Sequence, residues 1–166
     1  MKLALLAALG AVLGAAACGT PPPEWTIDAG ACQPYVVPST QDLSMPSRSF
    51  ANDVMPLFTA HCAMCHGTES SPSGDVFLGK TSGDGHSVFT GIVGVPSGEY
   101  AAMSFITASD PTRSYLMHKL DGDQCQYDDK CGGGSCERTM PESGGLLTQA
   151  ERDTVREWIF QGAADN

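Results

Sequence analysis

Cys62-Ala63-Met64-Cys65-His66 constrains this chain more than any other stretch. Two thiols three residues apart, followed at once by an imidazole, form the attachment signature of c-type haem. On one side of a tight helical turn the thiols can form thioethers with the two vinyl groups of a single haem. His66 is then held under the iron as proximal ligand. Two other readings compete. A thioredoxin-like redox pair needs a βαβ setting, and nothing around Cys62 has that pattern. A zinc site needs a second ligand pair, for which Cys131 and Cys136 are the nearest candidates, but their spacing is wide and filled by glycine.

The start of the chain carries an address. Lys2, the apolar segment 3–14 and the small residues Ala15-Ala16-Ala17 ahead of Cys18 give residues 1–17 the form of a signal peptide. The apolar segment is too short to span a membrane. Small residues before a cysteine, then Gly19, Thr20 and three prolines, resemble a bacterial lipoprotein signal, which implies a lipidated Cys18; cleavage after Ala17 with a spare thiol is the alternative. Loss of Lys2 leaves eight basic against nineteen acidic residues, net −11. So acidic a chain is no nucleic-acid binder, and it suits a redox partner with a basic docking face. Cys32, Cys125, Cys131 and Cys136 remain after Cys18 and the motif pair. In an oxidising compartment they suggest two disulfides, with three connectivities open.

Residues 18–47 are rich in proline and read as an extended tether, although Trp25, Ile27, Tyr35, Val36 and Val37 suggest that part of this arm packs, with Cys32 as a pin. The domain is expected over 48–166. A helix should begin at Ser49 as N-cap and carry Phe50, Val54, Leu57 and Phe58 on one face, with Pro56 forcing a kink or a late start near Met55. Residues 68–98 read as loop. Asp110 and Pro111 signal a second helix through Leu120. Residues 121–143 read as a solvated acidic, glycine-rich loop, in which Asp121, Asp123, Asp128 and Asp129 lack the pattern of a calcium loop. Thr148 and Glu151 predict a capping box before a last helix bearing Val155, Trp158 and Ile159, ended by Gly162.

These blocks together resemble a class I cytochrome c domain of the single-haem, exported bacterial lipoprotein type. The likeness rests on the apolar run into the haem motif (50–67), a Pro-x-x-Ser-Tyr-Leu-x-x-Lys-Leu block (111–120), and a Met-Pro followed by Leu-Leu and a helix ending in Trp-Ile and Gly-Ala (140–163). It covers residues 49–164, and the three-cysteine insert before Met140 departs from it. The resemblance implies an all-α fold with loop-rich wrapping around one covalent haem, attached through Cys62 and Cys65. It implies first and last helices that cross, with Phe50, Val54 and Phe58 meeting Val155, Trp158 and Ile159. His66 and Met140 become the axial iron ligands, with Met103 and then His118 as the other distal candidates. A proline carbonyl that accepts from the proximal imidazole is a family habit for which Pro72 is the nearest residue. His61, His86 and His118 read as surface groups, and Met45, Met55, Met64, Met103 and Met117 as packing residues. The function expected is electron transfer in the cell envelope rather than enzymatic catalysis, by a lipid-anchored protein facing the periplasm or a soluble periplasmic one. An electron-relay subunit of a larger redox enzyme and a peroxidase-like or ligand-sensing protein are the alternatives.

Overall fold

A computed structural model describes residues 32–166; the expected signal peptide over 1–17, the expected lipidation site Cys18 and the first part of the expected tether lie outside the described residues. The described chain is helical and holds no β-strand among its described residues.

The first helical run starts where Ser49 caps it: Asn52 N donates to Ser49 Oγ at 3.2 Å, and Ser49 N donates to Asp53 Oδ2 at 2.7 Å. Pro56 has no amide hydrogen, and in a regular helix its ring would strike the carbonyl four residues earlier. The chain avoids that clash with a π-helical turn at Phe50–Val54, so that α1 (Met55–His61) begins late and Pro56 falls in its first turn. After a corner at Cys62 the short α2 (Ala63–His66) completes the run.

Residues 68–98, expected as loop, contain a helix, α3 (Gly85–Ile92). Its entry is organised by Asp84, whose carboxylate accepts from Lys80 N and Thr81 N at 2.8 Å each. Val88 and Ile92 then point into the core. Glycine and serine around a helix with only two buried apolar positions obscured it in the sequence. From Ile92 the chain runs through isolated backbone pairings, Gly94 N to Ile106 O at 2.9 Å and Phe105 N to Val95 O at 2.8 Å. Asp110 caps a 3₁₀ turn at Pro111–Arg113, and α4 (Tyr115–Asp121) follows, ended by Gly122 in the left-handed region.

The last helix, α5 (Gln149–Phe160), has the expected capping box in both directions: Glu151 N to Thr148 Oγ1 and Thr148 N to Glu151 Oε2. Its buried face meets the first helical run. Phe50 stacks on Trp158 with ring centroids 4.9 Å apart, and lies edge-on to Phe58 and Phe89. Trp158 Nε1 donates to Ala164 O at 2.9 Å, and Asn166 accepts from the free amides of Phe50 and Ala51. The first and last helices therefore share one apolar contact and one set of end caps.

Residues in the 32–48 arm dock on this body. Cys32 is joined to Cys125, Tyr35 N donates to Asp123 Oδ2 at 2.7 Å, and the Tyr35 ring lies under the Arg156 guanidinium at 4.4 Å. The second disulfide joins Cys131 to Cys136. Of the acidic residues expected in a solvated loop, Asp129 is exposed, but Asp121, Asp123 and Asp128 are taken up by the fold. Asp121 is half-buried, with its side chain only 7% exposed, and takes both Arg156 (2.6 and 2.7 Å) and Arg152 (2.8 Å), Asp123 is buried against His118, and Asp128 accepts from Cys136 N at 2.7 Å. Their partners come from distant elements, which local composition cannot show.

Trp158 carries the largest buried side chain where α5 meets the first helical run. Trp158→Ala is expected to cost about 3–5 kcal/mol of unfolding free energy in a denaturant titration, as for a truncated buried aromatic. A loss below about 1 kcal/mol would mean that the two helices are held together by something other than this stack.

Candidate functional site

The thiol–imidazole run is built on the α1–α2 corner. Cys62 N closes α1 on Phe58 O at 2.8 Å, while Cys62 O starts the next turn by accepting from Cys65 N (3.2 Å) and His66 N (2.8 Å). One backbone carbonyl thus sets the relative placement of both thiols and the imidazole. Gly67 is required at the exit, because a Cβ there would stand 2.3 Å from Ala63 O. Leu78 N donates to His66 O at 2.9 Å and ties the returning chain to the same turn.

His66 is buried, 8% exposed, and its Nδ1 lies 3.0 Å from Val76 O. A carbonyl can only accept, so Nδ1 carries the proton, and in the neutral imidazole the lone pair is on Nε2. An imidazole fixed in this way has one oriented donor nitrogen, the arrangement in which a backbone carbonyl supports a metal-bound histidine. The residue that supplies the carbonyl is Val76 rather than the expected Pro72. Pro72 stands before the turn Ser73–Asp75, and only after that turn does the chain come back to His66.

Cys62 and Cys65 are free thiols, whereas the other four described cysteines are paired in disulfides. Burial, and secondarily the neighbouring Cys65, pushes the Cys62 thiol up to about 12. A thioredoxin-like pair needs the opposite, a thiol whose acidity is raised to supply thiolate. The zinc alternative loses its second ligand pair, since Cys131 and Cys136 are bonded to each other. Among the described residues no cluster of three or more His, Cys, Asp or Glu is arranged to hold a metal ion. What the corner offers is two free thiols and one oriented imidazole nitrogen on consecutive turns, a donor set that fits a covalently attached haem.

Met140 lies on a different element, in the segment between Cys136 and α5. It is half-buried, and its amide donates to Lys119 O, in α4, at 2.8 Å. Met103 sits in a closed turn in which its amide donates to Tyr100 O and its carbonyl accepts from Ser97 N, both at 2.9 Å. His118, expected at the surface, is buried with both ring nitrogens engaged: Nδ1 with Asp123 Oδ1 at 2.7 Å and Nε2 with Thr112 O at 3.0 Å. His61 and His86 face the carboxylates of Glu151 and Asp165. Among the methionines read as packing residues, Met55 and Met117 are buried, but Met45 and Met64 are exposed, Met64 at 96%. Met64 sits between the two motif cysteines on the outer side of the short helix, where no neighbouring element covers it.

The comparisons with known proteins give no family for the chain: no family model, curated protein or solved structure matches it.

His118 allows a pH test of the ionic cluster beneath the arm. Burial works against its charge, but the hydrogen bond and charge of Asp123, the Thr112 carbonyl and Asp121 outweigh burial and raise its pKa above the ordinary 6.5. A raised folded-state value means that the imidazolium's stabilisation is complete below the ordinary pKa and fades as pH rises through the folded one. The stability difference between the wild type and His118→Gln should therefore be largest below pH 6.5 and shrink above it. Denaturant titrations across that range check this; a difference independent of pH contradicts the charged pair.

Proposed function

We propose that this chain is a single-haem c-type cytochrome, an electron carrier of the cell envelope built on a class I cytochrome c domain. The observation that carries the reading is His66. It is a buried imidazole whose Nδ1 donates to Val76 O, at the end of a turn that also presents the two free thiols. In this reading Cys62 and Cys65 bind haem through thioethers and His66 Nε2 binds the iron. When bound, haem would supply a one-electron iron couple, and ligation by a methionine together with the histidine would favour its reduced form.

Met140 is the proposed distal ligand. Its backbone is anchored on α4, and the competing His118 has no free ring nitrogen. The crossing of the first and last helices at Phe50 and Trp158 supports the same fold reading. Two disulfides suit an exported protein, in keeping with a signal peptide over 1–17 and a lipid anchor at Cys18. Arg48, Lys119, Lys130, Arg138, Arg152 and Arg156 are all in ion pairs. Lys80 and Arg113 are the exposed basic residues outside these pairs, so acidic charge predominates in the chain, and a partner with a basic face would be drawn to it.

Absorbance spectroscopy of protein exported together with haem-attachment machinery tests this function. Dithionite should produce sharp ferrous bands, and the colour should resist acid-acetone extraction. The ferric protein should show the weak far-red band of sulfur ligation, which Met140→Ala should remove while it lowers the potential. Cys62→Ala with Cys65→Ala should abolish the coloured protein. Colour that extracts into acid-acetone, or a far-red band that persists in Met140→Ala, would contradict the attachment or the ligand respectively.

A further inference from the structure

Lys119 is buried, 5% exposed, and a desolvated ammonium is tolerated only where its charge is met. Its Nζ donates to Glu99 Oε2 at 2.9 Å and to Cys136 O at 2.7 Å. Tyr115 Oη donates to the same carboxylate oxygen and holds it in place. The main chain of Lys119 is used as well. It lies in the last turn of α4, where carbonyls have no partner within the helix. Its carbonyl accepts from Met140 N at 2.8 Å.

One residue therefore grips the segment 136–140 at both ends, by its ammonium at Cys136 and by its carbonyl at Met140. Further bonds fill the interval. Cys136 N donates to Asp128 Oδ1 at 2.7 Å, and Gln124 Nε2 donates to Glu137 O at 3.2 Å. Upstream, the glycine turn Gly132–Gly134 is closed by the Cys131–Cys136 disulfide and by Gly132 N donating to Glu99 O at 3.1 Å. Glu99 thus holds the glycine loop with its carbonyl and Lys119 with its carboxylate. The slack that glycine allows is stopped before it reaches Met140.

We propose that Lys119, supported by Glu99, is the positioning residue for Met140, setting the backbone from which the methionine reaches its metal. The proposal rests on the His66 and Met140 ligation argued above. Loss of the ammonium leaves the Cys136 carbonyl and the Glu99 carboxylate without their shared partner. The Cys136 end then keeps its disulfide and the Asp128 and Gln124 bonds but loses its side-chain tie to α4, and the methionine competes less well with an external ligand for the same coordination position.

The test compares ferric holoprotein of the wild type, Lys119→Met, Glu99→Gln, Val88→Ala and Met140→Ala, by cyanide titration and by the far-red sulfur band. Met140→Ala removes the band and sets the limit for an open position. Lys119→Met raises cyanide affinity roughly tenfold, the scale of an ordinary coupling between sites, and weakens the band. Val88→Ala truncates a core residue on α3 that takes no part in these hydrogen bonds; it lowers the melting temperature and leaves band and affinity unchanged. A band that persists in Met140→Ala overturns the ligation reading itself. If Met140→Ala loses the band while Lys119→Met keeps wild-type band and affinity, the ligation stands and Lys119 has no positioning role. An equal rise in cyanide affinity in Val88→Ala also overturns the proposal, because general loosening would then explain it. Should Lys119→Met yield no coloured protein, Glu99→Gln carries the same readouts: a rise in affinity supports the proposal and an unchanged affinity overturns it.

Discussion

The ring of Phe50 lies on Trp158, and the placement of the thiol–imidazole corner follows from that contact. Phe50 opens the first helical run, so fixing it fixes the axis along which α1 delivers Cys62, Cys65 and His66. Trp158 belongs to the longest helix among the described residues, whose start is fixed by its own capping box. Phe58 and Phe89 lie edge-on to the Phe50 ring and bring α1 and α3 into one core. Two buried aromatic rings are worth several kcal/mol, enough to decide whether a domain of this size is folded.

A second, polar layer holds the segments that the apolar core does not reach. Arg156 and Arg152 meet at Asp121, His118 meets Asp123, and Lys119 meets Glu99. Buried pairs of this kind add little net stability, because desolvation offsets their attraction, yet breaking one leaves an uncompensated charge and costs about 3–5 kcal/mol. Their effect is to select one arrangement. The Asp121 and Asp123 pairs seat the arm, whose Tyr35 touches both. The Lys119 pair seats the segment that carries Met140.

Much of this was legible where the signal is local. Ser49 with Asp53 and Thr148 with Glu151 mark helix starts that are present, whereas Asp110 beside Pro111 caps only a 3₁₀ turn and α4 begins after the extended Ser114, at Tyr115. Pro56 announced the irregularity in the first helix, though not that a π-helical turn would resolve it. The meeting of Phe50 with Trp158 followed from the family likeness rather than from periodicity. What was not legible depends on pairs far apart in the chain. Val76 displaced Pro72 at the imidazole because the intervening turn sets which carbonyl returns to His66. The burial of His118 and the ion pairs of Asp121 and Asp123 depend on Thr112, Tyr35 and Arg156, whose proximity no local pattern encodes. Lys119 stood in plain view within the Ser-Tyr-Leu-x-x-Lys-Leu block, but its role depends on Glu99 and Cys136.

The central claim is that the α1–α2 corner is an attachment site, and mass spectrometry of a protease digest tests it most directly. Protein exported with haem-attachment machinery should yield one peptide spanning Cys62 and Cys65 that carries the mass of a single haem. The peptides with Cys32 linked to Cys125 and Cys131 linked to Cys136 should carry none. A motif peptide recovered with both thiols free to alkylation, or joined to each other as a disulfide, would contradict the account.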